Sequence, residues 1–211
     1  MNETNQDFSV NDKDVDMQHW FAMHVYMNKV TACRDELMYI NTQLTLDAKE
    51  RSKLITPNLL GSQLDYYAPF TRIDRVNSYG KRVVTEKPVI PSLFFIRCTH
   101  LQVAAFEDWM GDRAFLYKHI KDGMVTPIAI PLREMQMFMM VSSGDQEGLD
   151  YFGADAYDWK KGERVRVIDG RFKGLEGEIK RINGTKRLIV AIEGVCAVAT
   201  TYIPRCFLEK I

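Results

Sequence analysis

The chain has 211 residues, of which 46% are hydrophobic and 27% charged, with 28 basic and 28 acidic side chains. This length allows one large domain or two small ones, and the apolar content is sufficient for a packed core. No apolar run approaches the ~20 residues that a membrane-spanning helix needs, and residues 1–7 lack the basic and apolar regions of a signal peptide. We therefore expect a cytoplasmic protein with no membrane contact.

The charges are distributed unevenly along the chain. Residues 159–211 hold twelve Lys or Arg against six Asp or Glu, whereas residues 1–16 and 142–158 each hold five acidic residues and at most one basic residue. Polar, acidic segments without apolar periodicity are typical of disorder and of linkers. We predict a disordered acidic tail over 1–16 and an acidic linker over 142–158. The basic surplus of 159–211 permits contact with nucleic acid, although solvated surface charges would give the same count.

The first part of the chain begins with a strand and a helix. Residues 20–26 form an apolar run short enough to be a strand. An apolar stripe with alternating spacings of three and four residues then predicts a helix, and its members are Val30, Cys33, Leu37, Ile40 and Leu44.

A hairpin, a strand, a helix and a strand follow, and a third helix ends this part of the chain. The hairpin is predicted over 62–87, with Asn77 to Lys81 at its turn, and a fully apolar strand over 93–96. The remaining predicted elements are a helix over 101–110, a strand over 114–117 and a helix over 130–141. This order is close to the split β-α-β-β-α-β arrangement. The sequence therefore predicts a ferredoxin-like domain over 17–141.

The last part of the chain consists of short strands separated by turns. The predicted strands are 164–168, 177–182, 187–192 and 196–203, and Asn183-Gly184 is a strong hairpin signal. A small barrel of about five strands would remove exposed sheet edges. The fold class predicted for the whole chain is α+β, with a β-barrel domain over 159–211.

No motif in the chain predicts catalysis or metal binding. The sequence lacks a Gly-x-Ser-x-Gly segment, a P-loop, a His-Glu-x-x-His pair and a Gly-x-Gly-x-x-Gly segment. Its four cysteines have no Cys-x-x-Cys spacing, so we interpret them as small buried residues kept reduced. We predict a non-enzymatic protein with no catalytic residue, no metal and no cofactor.

The barrel segment carries the most specific pattern in the chain. Trp159 to Gly170 forms a basic, β-branched strand and its turn, and Arg171-Phe172-Lys173-Gly174 leads into a strand that runs to Ile179. This segment resembles the KOW motif of transcription and translation proteins. Together with the preceding α/β segment, it resembles the NusG family of transcription elongation factors, whose members join a ferredoxin-like NGN domain to an SH3-like KOW barrel.

The resemblance in the first domain rests on three short segments. They are Trp20-Phe21, Ile90-Pro91-Ser92-Leu93-Phe94-Phe95-Ile96 and Ile128-Ala129-Ile130-Pro131. The family usually has Phe-Pro-Gly-Tyr at the start of the second segment, where this chain has Ile90, Pro91, Ser92 and Leu93. Such drift, and the ending from Leu188 to Ile211, is most similar to the UpxY-type paralogues that regulate capsule operons.

The resemblance implies a set of binding residues. Family members hold the clamp helices of the RNA polymerase β′ subunit in an apolar concavity, a form of helix-in-groove binding. The positions that match here are His24, Leu93, Phe95, Met135 and Phe138. Contact with the non-template DNA strand would involve Lys29, Arg34, Arg97 and His100. Phe172, at the tip of the KOW turn, would contact Rho or a small-subunit ribosomal protein, unless its ring folds back into the barrel.

We therefore predict a transcription elongation and antitermination factor that binds the β′ clamp helices and reduces pausing or termination at specific operons. The alternative is a ribosome- or RNA-binding KOW protein, because ribosomal proteins carry the motif too.

Overall fold

A computed structural model describes residues 17–211 apart from 27–28, 48, 51–52, 54, 122, 144–147 and 158–161. The predicted tail over 1–16 lies outside the described residues. The chain forms two compact units, of which the first comprises Met1–Tyr67 and Ser92–Ala129 and the second Ala68–Pro91 and Ile130–Ile211. The fold class is α+β, as predicted, with a ferredoxin-like sheet in the first unit and a small barrel in the second.

The strands before the barrel are, in chain order, β1 (His19–Val25), β2 (Asp65–Tyr67), β3 (Phe70–Val76), β4 (Arg82–Pro88), β5 (Leu93–Cys98), β6 (Ala114–Leu116), β7 (Lys118–Lys121) and β8 (Met124–Pro127). Four of them form one antiparallel sheet in the order β2-β5-β1-β6. This is the strand order of the ferredoxin-like arrangement that the sequence predicts. The β3–β4 hairpin is inserted in the chain between β2 and β5, and the β7–β8 hairpin, which the sequence analysis did not predict, follows β6.

The strand register sorts the side chains of this sheet onto two faces, because successive residues alternate. Phe21, Met23, Phe94 and Ile96 share one face and are fully buried, each contributing about 1.5–3 kcal/mol through burial. We call the opposite face the His24 face. It carries Trp20, Ala22, His24, Leu93, Phe95 and Phe115.

Two helices, α1 (Val30–Leu44) and α2 (His100–Met110), belong to the first unit. The predicted stripe of α1 is buried at Val30, Cys33, Leu37 and Ile40. The α2 helix begins with a capping box, in which Thr99 accepts a hydrogen bond from the backbone of Gln102 and the Gln102 side chain accepts one from the backbone of Thr99. The Glu36 carboxylate on α1 accepts hydrogen bonds from Trp109 at 3.0 Å and from Arg113 at 2.7 Å, so it joins α1 to the end of α2.

The second unit contains a six-stranded antiparallel sheet that forms the barrel. Its strands are β9 (Asp150–Gly153), β10 (Glu163–Val167), β11 (Glu176–Ile182), β12 (Thr185–Ile192), β13 (Cys196–Ala199) and β14 (Leu208–Lys210), in the order β14-β10-β11-β12-β13-β9. The hairpin predicted at Asn183-Gly184 is confirmed, because both residues have positive φ angles, as a type I′ turn requires. Gly177 marks a close approach, since a Cβ atom there would lie 2.2 Å from the carbonyl oxygen of Ile189.

Part of the predicted linker belongs to the barrel. Residues 150–153 form β9, which pairs with β13, and Tyr157 lies in a buried cluster with Ile189, Ala197 and Ala199. The prediction of a linker is therefore wrong for 150–157, because Tyr151 and Phe152 alternate as a strand despite the acidic residues around them. Residues 144–147 and 158 of that segment lie outside the described part of the chain.

The third helix, α3 (Leu132–Ser142), packs against β12 and β13 of the barrel. For this reason the second unit includes α3, whereas the sequence predicts a single domain over 17–141. The inserted β3–β4 hairpin is also part of the second unit.

All four cysteines are free. Cys33, Cys98 and Cys196 are buried, as predicted, and burial raises the pKa of the Cys33 thiol to about 12. Cys206 is exposed, so the prediction of burial is wrong at that position. No helix among the described residues is both long enough and apolar enough to cross a lipid bilayer.

Candidate functional site

The His24 face brings together three of the five residues expected to bind polymerase. His24 pairs with Leu93 across β1 and β5, and Phe95 is the next residue of β5 on that face. Leu93 and Phe95 are buried, whereas His24 is half-buried. The ring of Phe95 lies 6.4 Å from that of Tyr67 on β2. Leu93 and Phe95 therefore present little accessible surface.

His24 is the centre of an aromatic cluster that the sequence analysis missed. Its ring stacks on Phe115 at 5.0 Å, and Tyr26 and Tyr117 lie 5.3 Å and 6.3 Å away. Tyr26 is 50% exposed and Phe115 is 40% exposed. We call His24, Tyr26, Phe115 and Tyr117 the aromatic patch. Register could have revealed it, since Phe115 lies opposite His24 on the edge strand β6.

The other two residues expected to bind polymerase lie on α3, in the second unit. Met135 and Phe138 are three residues apart, and both are fully buried on the helix face that also buries Val141. Their positions on one face agree with the helical spacing. Their burial means that they act as core residues of the structure described here.

A buried carboxylate connects α3 to the barrel. The Glu176 side chain is only 8% exposed, and its oxygen Oε1 lies 2.6 Å from Arg133 on α3 and 2.7 Å from Arg166 on β10. Arg164 is 3.9 Å from the second oxygen. The hydrogen bond from Arg166, with the nearby charges of Arg133 and Arg164, holds the pKa of Glu176 below its usual value. This cluster fixes the first turn of α3 on the barrel.

The four residues predicted to contact nucleic acid are dispersed. Lys29 is exposed at the start of α1, and Arg34 on α1 pairs with Asp35 at 3.4 Å. Arg97 pairs with Asp65 at 3.6 Å on the His24 face. His100 lies against the opposite face, with its ring 5.0 Å from Phe21. Arg97 and His100 therefore do not share a surface.

Phe172 is folded into the barrel. Its side chain is 6% exposed, and the Arg171 guanidinium lies 5.1 Å from its ring centroid. The turn is held by hydrogen bonds from the backbone of Gly174 to Val167 and from Leu175 to Phe172. Of the two alternatives for this aromatic, the structure shows the buried one. Ile168, which directly follows β10, is an exposed apolar residue close to the same turn.

A shallow groove of about 580 Å³ runs over the barrel surface. Exposed Arg181, Lys186 and Arg205 line it, with exposed Tyr202 beside them. No ion pair within the described residues involves these three cations. The groove thus combines positive charge with an aromatic ring.

Within the described part of the chain, no group of three or more His, Cys, Asp or Glu side chains is placed to hold a metal ion. An apolar cavity of about 400 Å³ in the first unit lies between α2 and residues 56–59. Leu101, Ala104 and Trp109 line it, and Asp108 is one of its few polar groups.

Comparison with known families identifies the barrel segment. The family model described as KOW motif matches residues 161–193, which covers β10, the turn with Phe172, β11 and β12. The barrel contains a KOW motif. This match occupies less than half of the chain and is confined to the barrel.

Among solved structures, the chain is similar to one described as "Domain interaction in Thermotoga maritima NusG". The two are 16% identical, and the match covers 92% of this chain and 98% of the other with a TM-score of 0.43.

Proposed function

We propose that this protein is a NusG-family transcription elongation and antitermination factor, of the specialised UpxY-like type. The observation that supports the proposal is the combination, in one chain, of a ferredoxin-like sheet with a KOW barrel. Its action would be non-enzymatic, through binding to RNA polymerase and reducing pausing or termination. The alternative reading, a ribosome- or RNA-binding KOW protein, is favoured by the basic groove of the barrel.

The aromatic patch is the surface that we propose for the β′ clamp helices. Exposed aromatic side chains are the usual anchors of protein interfaces. Tyr26 and Phe115 are exposed, and His24 holds them together by ring contacts. They also lie at the end of the His24 face, which carries Leu93 and Phe95. Leu93, Phe95, Met135 and Phe138 would need to become accessible to contribute directly.

The KOW barrel would contact a second partner, Rho or a small-subunit ribosomal protein. Because Phe172 is buried, we propose that Ile168 supplies the apolar contact that the turn was expected to make. A contact with the non-template DNA strand would involve Lys29 and Arg34 separately from Arg97, since the structure does not join them in one patch.

The test compares two variants by binding to purified RNA polymerase. Changing Tyr26 and Phe115 to Ala should weaken binding by about 2–4 kcal/mol, because two exposed anchors are lost. Tyr39→Ala removes an exposed aromatic of α1 outside the patch and should bind like the unchanged protein. The same proteins are assayed for read-through at a pause and at a terminator in vitro.

Two results would remove the proposal. One is equal polymerase affinity for the unchanged protein and the Tyr26/Phe115 double variant. The other is copurification of the tagged protein with ribosomal particles and not with polymerase, which would favour the alternative. Changing Phe95 and Phe138 is a poorer test, since both are buried and their loss is expected to destabilise the fold.

A further inference from the structure

The β3–β4 hairpin is a two-stranded ribbon whose outer part, residues 74–84, is exposed to solvent. Its two strands pair with each other from Phe70 opposite Pro88 to Val76 opposite Arg82. They form a two-stranded sheet, and most of their side chains are exposed. An isolated two-stranded ribbon gains little stability from its own burial, so exposed residues at its tip need another explanation.

The ribbon is basic. Between Phe70 and Pro88 it carries five Lys or Arg and two Asp or Glu, a net charge of +3. Three of the cations border the turn, and we call Arg75, Lys81 and Arg82 the basic tip residues. Among the residues that the structure describes, no acidic side chain lies within ion-pair distance of any of the three. Their charge is therefore not neutralised by the described part of the chain.

The turn that joins β3 and β4 is held by several hydrogen bonds. The Asn77 side-chain oxygen accepts hydrogen bonds from the backbone of Tyr79 at 3.0 Å and of Lys81 at 2.9 Å. The backbone of Asn77 donates to Lys81, and that of Gly80 donates to Asn77, both at 2.9 Å. Gly80 has a φ of +75°, a conformation that favours glycine. The backbone at Tyr79 is thus fixed before any partner arrives.

Tyr79 points out from this fixed turn and is 92% exposed, the highest exposure among the large apolar side chains that the structure describes. It has no ring partner among the described contacts. An exposed aromatic ring on a hydrogen-bonded turn, beside cations without an ion-pair partner, is an arrangement on which unpaired bases can stack while the cations attract the phosphates.

We propose that the tip of the β3–β4 hairpin binds single-stranded nucleic acid. Tyr79 stacks on an unpaired base, and the basic tip residues contact the phosphates on either side. This site differs from the residues discussed above for DNA contact, and it does not depend on the polymerase contact because the protein can be tested alone.

An unpaired strand fits the hairpin better than a duplex does. A two-stranded ribbon can enter the major groove, but it then reads base edges with hydrogen-bonding side chains along one face. Here the two cross-strand pairs on one face next to the turn, Val76 with Arg82 and Asp74 with Val84, each include an exposed valine, which offers no hydrogen bonds to base edges. The ring at the tip is suited to a base face, which a duplex keeps inside its stack.

The first experiment measures binding of the full chain to a fluorescent 12-nucleotide single strand of mixed sequence, with the matching duplex alongside. Tyr79→Ala should weaken binding to the single strand about tenfold, because one stacked base is lost. Tyr79→Phe should bind like the unchanged protein, since stacking needs the ring and not the hydroxyl. Tyr39→Ala, an exposed aromatic on α1, serves as the matched control and should also bind unchanged.

The second experiment measures the dependence of affinity on salt. Changing Arg75 and Lys81 together to Gln should lower the slope of log affinity against log salt by about 1.4, since each phosphate contact on a single strand contributes about 0.7. The paired control changes Lys49 and Lys53 to Gln, two exposed cations that follow α1, and should reduce the slope less.

Several outcomes would overturn the proposal. They are tighter binding to the duplex than to the single strand, equal loss in Tyr79→Ala and Tyr39→Ala, and no binding of any oligonucleotide. Capture of a protein partner that is lost in Tyr79→Ala, without oligonucleotide binding, would also overturn it. Ultraviolet crosslinking of a bromouracil-containing strand, mapped by mass spectrometry to residues 75–82, would support it.

Discussion

Two turns of this protein have similar sequences and opposite structures. The β10–β11 turn contains Arg171-Phe172-Lys173, and the β3–β4 turn contains Tyr79-Gly80-Lys81-Arg82. Each therefore places one aromatic ring beside cations at a turn, yet Phe172 is buried and Tyr79 is almost completely exposed. The flanking charges therefore do not determine whether the aromatic ring is buried or exposed.

The difference lies in what surrounds each turn. The β10–β11 turn folds back on the barrel through its hydrogen bonds to Val167, and the next residue after it, Leu175, is fully buried. A ring there has a core to enter. The β3–β4 ribbon has only two strands, and residues 74–84 around its turn are all exposed, so a ring at its tip faces solvent or a partner. An aromatic at a turn thus indicates recognition only where no core lies within reach.

The largest effect that tests this comparison is expected for Phe172→Ala. Loss of a buried phenylalanine costs about 3–5 kcal/mol of unfolding free energy, because the barrel cannot fully close the cavity. Urea unfolding of the full chain measures the change, and Phe172→Leu should recover much of it. An unchanged midpoint for Phe172→Ala would show that the ring is free, as it is at Tyr79.

A second effect follows from the tight packing of the strand after that turn. Gly177→Ala should destabilise the protein by about 1–3 kcal/mol, since the new Cβ atom would lie 2.2 Å from the Ile189 oxygen. Gly153→Ala on β9 is the control, because nothing lies within 4 Å of a Cβ atom there. Equal unfolding midpoints for the two variants would contradict the close approach.

The cluster at Glu176 should make the packing of α3 on the barrel depend on pH. Its pKa is lowered from the usual value of 4.5, so the stability it contributes is present above that value and is lost as the pH falls through the lowered pKa. Glu176→Gln should lower the free energy of unfolding by about 1–2 kcal/mol at pH 7, a modest value because the arginines are exposed to solvent. The loss should become progressively smaller as the pH falls. Unfolding curves of the unchanged protein and of Glu176→Gln between pH 3 and pH 7 measure the difference.

Glu134 on α3 should act in the opposite direction. Burial, and then the charge of Glu193, raise its pKa above 4.5, so the stability present below that value is lost as the pH rises through the raised pKa. Glu134→Gln should therefore stabilise the protein slightly at pH 7 and have no effect near pH 3. Destabilisation by Glu134→Gln at pH 7 would contradict this assignment.

The exposed ring at the β3–β4 turn should contribute little to stability. Tyr79→Ala should change the unfolding free energy by less than about 0.5 kcal/mol, because the side chain is 92% exposed. The same urea experiment applies. A loss comparable with that of Phe172→Ala would mean that the two turns differ less than the structure indicates.

The sequence predicts the ferredoxin-like order well because its elements carry strong local signals. The apolar stripe of α1 and the four-residue apolar run of β5 each identify their element, and Asn183-Gly184 identifies its hairpin. β9 was not predicted because its pairing with β13 is a long-range contact. Its two aromatic residues lie in an acidic segment whose composition is typical of a linker.

The candidate site is less accessible to sequence reasoning. Spacing places Leu93 with Phe95, and Met135 with Phe138, correctly on shared faces, but it gives no information on how deeply each face is covered. The aromatic patch depends on the register between β1 and β6, which are about 90 residues apart in the chain. Whether Arg97 and His100 share a surface likewise depends on which side of the sheet each of them occupies. That is settled only when β5 has paired with its neighbouring strands.

The pairing of β9 with β13 has a practical consequence for dissecting the chain. Arg187 on β12 donates hydrogen bonds to Asp150 of β9 and to the backbone of Gly148, so β12 secures residues that come well before the KOW match. A fragment cut at Trp159 would lose this strand and leave β13 with unpaired backbone groups along its edge. An unpaired edge of this kind promotes aggregation, so soluble fragments that contain the barrel should begin before Gly148.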